Sequence, residues 1–207
     1  MTELRWVEER DYVIDARYAN GVTPAMSGLA AELVAARPDL LLASGDNGAH
    51  LFADRTNTIP IVFCLVQDPV GSKLAASLRR PGGNLTGLTS LGRELGTKRL
   101  ELLKEAYPRV SHVAVLFDPG NLGSVAEMKD IEAGAPLLKV RVTRIEIRQV
   151  ADSEAALKRG AALGAHAFIA TQSGVINPRE IANRSLSIGL PSMGTGLQFV
   201  EAGALMS

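Results

Sequence analysis

Residues 59–72 read IPIVFCLVQDPVGS, and seven consecutive apolar residues within them, Pro60 to Val66, stop at Gln67-Asp68-Pro69. A run this apolar leaves no wet face. It predicts a strand covered on both sides, the habit of parallel sheets packed between helices. Such sheets place their working loops at the carboxyl ends of the strands. Gln67, Asp68 and Ser72 therefore stand where a ligand would be met.

The rest of the chain repeats the pattern. YVIDARYA (12–19) alternates loosely and predicts a strand. Thr23-Pro24 opens a helix, and Pro38 stops it. LLLAS (40–44) predicts a buried strand, followed by a turn and helix in GDNGAHLFADR. A helix is expected over about 70–79, carrying Leu74, Ala75 and Leu78, then a turn at RPGGN and a short strand in LTGLTS (85–90). A longer helix is expected over 93–106. HVAVLFDPGN (112–121) restarts the pattern as a strand that again ends at Asp-Pro, and a helix follows over 123–138. VTRIEIRQV (142–150) alternates apolar and charged residues, as a strand with one wetter face or an edge position does. Helices at 153–163 and from Asn177-Pro178, and strands at 165–174 and 190–196, complete the chain. Strands alternating with helices imply parallel βα units with right-handed crossovers. Two units are expected, residues 1–109 and 110–207.

The totals narrow the function. A chain of 207 residues with 46% apolar composition can bury a real core. Lys+Arg and Asp+Glu are 22 each, which argues against a dedicated nucleic-acid binder. No apolar run reaches the length of a membrane span, and the first residues lack the order of a signal peptide. Cys64 is the single cysteine, so no internal disulfide forms; in mid-strand it reads as a small buried hydrophobe facing the core.

Four turns gather at predicted carboxyl ends: Ser44-Gly45-Asp46-Asn47-Gly48, Gln67-Asp68, Asp118-Pro119-Gly120-Asn121 and Thr171-Gln172-Ser173-Gly174. Each precedes a helix N-terminus, where free N–H groups and the dipole favour an anion, and a carboxylate would suit Ser44–Asn47. For one such turn, helix capping explains the same residues. For four on one side of two facing units, a ligand cleft competes with capping. Catalytic patterns are weaker. His50, His112 and His166 have no metal-site spacing, and His112 and His166 open strands, where exposed or capping roles are expected. No nucleophile elbow is present, and Gly92–Arg99 does not match a phosphate loop. An Asp68–Asp118 acid/base pair is possible in principle, but Asp before Pro is ordinary turn chemistry. No catalytic residue, metal or cofactor is assigned.

The successive stretches LAAELVAARPDLLLASG, IPIVFCLVQDPVGSKLAASLRRPGGNLTGLTS, GTKRLELLKEAYPRVSHVAVLFDPGN and FVEAGALMS resemble the periplasmic substrate-binding proteins of ABC transporters, tryptophan/tyrosine-type group. The resemblance runs from about residue 8 to the end. It implies an α/β type I periplasmic-binding-protein fold: two parallel-sheet lobes, a hinge and a small organic solute clamped between them. It also implies a periplasmic location and an ABC permease as partner. Carried over by residue, Ser44, Gly45, Asp46 and Asn47 would hold the ligand from the first lobe, with Gln67, Asp68 and Ser90 flanking it. Asp118, Asn121, Thr171 and Gln172 would close from the second lobe, and Thr195 and Glu201 would lie on or behind the last cleft loop.

The resemblance also implies a signal peptide, a first strand and a first helix ahead of Leu4–Asp11, and a continuation past Ser207. The chain is therefore expected to be shortened at both ends, with open strand edges that invite self-association. The few aromatic residues, 4% of the chain, leave few stacking partners for an aromatic ligand. Alternative readings are a ligand-sensing domain of the same fold, an enzyme using Asp68 or Cys64, and a fragment that binds nothing.

Overall fold

A computed structural model describes residues 5–90 and 92–207; residues 1–4 and 91, which fall in the expected first unit, lie outside the described residues. The first part carries α1 (Met26–Ala35), β1 (Leu41–Ser44), α2 (Gly45–Ala53), β2 (Ile61–Val66) and β3 (Leu85–Thr89). Its strands form a parallel sheet in the order β1-β2-β3. The second part carries α3 (Gly92–Ala106), β4 (His112–Phe117), α4 (Leu122–Gly134), β5 (Arg141–Glu146), α5 (Ser153–Ala162), β6 (Ala167–Ala170), α6 (Pro178–Ser187), β7 (Ser192–Met193) and α7 (Leu197–Glu201). Its sheet is also parallel, in the order β5-β4-β6-β7. The charged alternation of β5 matches its edge position.

The second sheet is covered on both faces, and strand alternation shows how. Val113, Val115 and Phe117 of β4 pack with Leu100 and Leu103 of α3 and with Met128 and Ile131 of α4. Ala114 and Leu116 turn the other way, toward Leu157 of α5 and Ile181 of α6. All six residues of β4 are buried. Fully burying one such side chain stabilises the fold by about 1.5–3 kcal/mol.

The first sheet differs. Leu41, Ala43, Ile61 and Phe63 pack on one face with Ala30, Ala49 and Phe52 of α1 and α2. On the other face Leu42 is 68% exposed and Leu88 75%. The expectation of a strand covered on both sides therefore fails for this sheet, because α1 and α2 lie on a single face. Cys64 accordingly is only half-buried, its thiol 3.5 Å from the carbonyl of Ala43, rather than turned to the core.

Three further expectations, on residues 12–19, residues 70–79 and His112, are corrected. Residues 12–19 form no strand, since no neighbouring strand pairs with them beyond a single bridge, Glu8 to Tyr12. Residues 70–79 form turns, not a helix. Asp68 accepts from the N–H of Gly71, Lys73 takes φ 64° in the left-handed region, and Ala75 bonds back to Pro69; each of these interrupts an i to i−4 ladder. His112 is buried, its Nδ1 2.8 Å from the Gly164 carbonyl and its Nε2 2.8 Å from Thr143 Oγ1, so it ties strand starts together. Leu100 and Leu103 of α3 belong to the core of the second sheet.

Candidate functional site

The carboxyl end of β2 is irregular. Phe63 pairs with Gly87, but the next pair is Val66 with Thr89, so β2 carries one residue more than β3. The extra residue reverses the alternation: Val66 enters the core, and Leu65 turns outward with φ 59° and half its surface exposed. A non-glycine residue held in this region costs about 1–3 kcal/mol and persists only where its surroundings enforce it. Bulges of this kind re-aim side chains near functional sites.

Leu65 faces a cavity of about 430 Å³ at the carboxyl ends of both sheets. From the first part, Ser44, Gly45, Asp46 and Asn47 line it at the N-terminus of α2, joined by Gln67 beyond β2. From the second part come Asp118 and Asn121, between β4 and α4, and Gln172 with Ser173 beyond β6. Ala19, Gly21 and Thr23 also line it, in the turn and short 3-10 helix that lead into α1. Gly21 has φ 80°, and a Cβ there would lie 3.7 Å from Val175, so the segment reaches the second part directly.

The two parts touch at the cavity edge. Asn47 Nδ2 donates to the Gly120 carbonyl at 2.6 Å, and Asn47 Oδ1 accepts from the N–H of Leu122 at 2.9 Å. Gly123 sits against Asp46 and Gln67; a Cβ on it would come within 2.7 Å of Asp46 Oδ2. Within the second part, Asp118 Oδ1 accepts from Gly120 N–H at 2.8 Å and Oδ2 from the Ser173 hydroxyl at 2.7 Å. The Ser124 hydroxyl donates to Thr171 Oγ1 at 2.6 Å, and the Thr171 hydroxyl donates to the Leu116 carbonyl, which braces the Asp118 turn. Behind it, Glu127 is fully buried in an ion pair with Arg99, and its second oxygen accepts from the N–H of Gln172 at 3.1 Å. Burial pushes the Glu127 carboxyl up, while the Arg99 charge opposes that.

Asp46 is the buried carboxyl of the cavity wall. Both of its oxygens face the N–H of Gln67, at 3.3 and 3.4 Å. Burial raises its pKa above the ordinary carboxyl value, and the Gln67 N–H acts in the opposite sense. Gln67 is itself 9% exposed, and its Oε1 has no hydrogen-bond partner among the described residues.

Eight of the expected ligand residues thus meet at one cavity: Ser44, Gly45, Asp46 and Asn47 from one part, and Gln67, Asp118, Asn121 and Gln172 with them. Four do not line it. Asp68 orders its turn through Gly71, Thr171 is buried under the Asp118 turn, and Ser90 and Thr195 lie elsewhere. Glu201 is exposed on α7. Leu65, Met26 and the 19–23 segment were not expected. The Asn20-Gly21 pair signals a turn, but nothing in the run Leu65-Val66 signals a left-handed leucine. Among the described residues no group of three or more His, Cys, Asp or Glu is placed to hold a metal ion. No helix among them is long and apolar enough to cross a membrane.

This arrangement has relatives. A structure of a conserved domain protein from Vibrio cholerae superposes with TM-score 0.87 at 27% identity, over 98% of this chain and 68% of that one. The ABC domain of Streptococcus pneumoniae solved in complex with L-Trp gives TM-score 0.78 at 20% identity, over 88% of this chain and 62% of that one. A tyrosine-binding protein of Clostridioides difficile is 30% identical over 118 residues, 57% of this chain and 34% of that protein, so the match spans about a third of that relative's length. The fold is that of type I periplasmic binding proteins. The family model for ABC transporter substrate binding protein matches residues 7–207, and the chain belongs to that family.

Proposed function

We propose that the chain is the solute-binding component of an ABC transporter. It holds a small organic solute in the cavity between its two parts and delivers it to a membrane permease, working in the periplasm and doing no chemistry of its own. The observation that carries this reading is the cavity: about 430 Å³, within the ordinary range of small-ligand sites, and lined by strand-end loops of two separate sheets. Relatives that bind tyrosine and tryptophan make an amino-acid-sized solute the natural starting point. We assign the ligand contacts to Ser44, Gly45, Asp46, Asn47, Gln67, Asp118, Asn121 and Gln172. Asp68 and Thr171 support the surrounding turns. The two parts close on the solute by a hinge motion, and α3, whose Leu100 and Leu103 pack in the second core, travels with the second. Asn47, which bonds Gly120 and Leu122, fastens the closed form.

Native mass spectrometry of the purified chain, followed by titration with amino acids, tests the proposal. A retained small molecule, or saturable binding that Asn47→Ala weakens about 10-fold through loss of two hydrogen bonds, is expected. A chain that is folded by circular dichroism, yet retains nothing and binds no small solute, overturns it.

A further inference from the structure

Among the described residues, seven other than glycine have positive φ, and of these Leu65 is the one apolar residue and the one inside a strand. Such an angle ordinarily falls to glycine or asparagine, which adopt it at little steric cost. A leucine there has to be explained by what its side chain does. It does not fill the core, since half its surface is exposed, and what it lines is the cavity.

The backbone on either side of Leu65 is pinned. Phe63 and Val66 are buried and both belong to the core of the first sheet. Strand alternation returns a side chain to one face at even spacings, and these two lie three apart, so a residue between them must turn against the alternation. Gly87 fixes the first side: a Cβ there would lie 2.0 Å from the Phe63 carbonyl oxygen, so β3 approaches β2 this closely only with glycine at that point. On the second side the Val66 carbonyl accepts from the Ser90 N–H at 2.9 Å and from the Thr89 hydroxyl at 2.8 Å. Between these clamps Leu65 is held at φ 59°, and a strained residue persists where its surroundings enforce it in this way.

Building on the solute-binding reading, we propose that Leu65 is a specificity-determining residue of the cavity: its side chain meets the apolar body of the solute, and its fixed position limits how large that body can be. Glycine would relieve the backbone and leave that part of the cavity unfilled.

Isothermal titration of the full chain, freed of retained solute by unfolding and refolding, with L-alanine, L-valine, L-leucine, L-phenylalanine, L-tyrosine and L-tryptophan tests this. The probes differ in the size of the side chain alone or nearly so. Leu65→Gly is expected to melt within a few degrees of the parent, because glycine adopts this angle freely. It is expected to change the affinity ratio between the parent's preferred probe and the bulkier or smaller ones by about 5-fold or more, which is what covering the open half of a leucine supplies. A probe that gives no heat is counted at the detection limit. Leu65→Asn, a second residue that tolerates this angle, is expected to shift the ratios as well. Ratios that change by less than this in both variants, whether the affinities hold or fall together and whether or not the melting temperature drops, would overturn the proposal and leave the solute-binding reading standing. A folded parent that retains nothing and binds none of the probes would overturn both.

Discussion

Asp46 and Gly123 are the residues on which the cavity most depends. Asp46 is 8% exposed, and burial raises its pKa above the usual 3.8, with the Gln67 N–H and His50 pulling down and Asp68 pushing up. A carboxyl whose folded pKa is raised stabilises the fold at pH values below its unfolded pKa. That contribution is lost as the pH rises through the folded value. Asp46→Asn is therefore expected to melt like the parent below about pH 4 and higher than the parent at neutral pH, in ligand-free protein. Melting curves across that range check it, and an unchanged or lower melting point at neutral pH would contradict it. Gly123 has no room for a side chain beside Asp46 and Gln67. Gly123→Val should force the two parts away from each other, at a cost of about 1–3 kcal/mol, and raise the radius of gyration in small-angle scattering. Much of the lining of this cavity is legible in the sequence. Small polar residues and glycines at strand ends mark Ser44–Asn47, Gln67, Asp118, Asn121 and Gln172 before any fold is known. Leu65 is not legible, because its angle follows from a pairing mismatch with Gly87 and Thr89 that no local preference encodes.

Among the elements, α3 and α4 are joined by more than leucines. Arg99 on α3 and Glu127 on α4 form a buried ion pair whose second carboxylate oxygen holds the Gln172 loop. Breaking one partner leaves the other charged and dry, which costs about 3–5 kcal/mol. Glu127→Gln is expected to lose that much in urea denaturation. Adding Arg99→Met should recover most of it, while an uncorrected loss in the double variant would deny the coupling. The elements that sequence periodicity reads well are those with a neighbour to bury against: β1, β2, β4 and β6 are all apolar runs at sheet positions. The two that misread, 12–19 and 70–79, have suitable composition but no partner. Val13 and Ile14 are 71% and 61% exposed, and Leu78 is 69% exposed. Pattern records what a segment can bury, and packing decides whether anything is there to bury it.

At the scale of the whole molecule the two sheets are unequal. The second has helices on both faces; the first has them on one, with Leu42 and Leu88 exposed on the other and with β1 and β3 as open edges. We propose that copies of the chain associate through this face. Light scattering should show mass rising with concentration, and Leu42→Lys with Leu88→Glu should return the chain to a monomer; a parent that stays monomeric at high concentration would refute it. The same inequality carries into time. Amide protons in β4, bonded on both sides and screened on both faces, are released to deuterium only when the whole unit opens. Those of β1 and β3, at the margins of a sheet bare on one side, should trade within much shorter intervals, so that mass spectrometry of exchanged peptides would read the molecule as a slow half and a fast half.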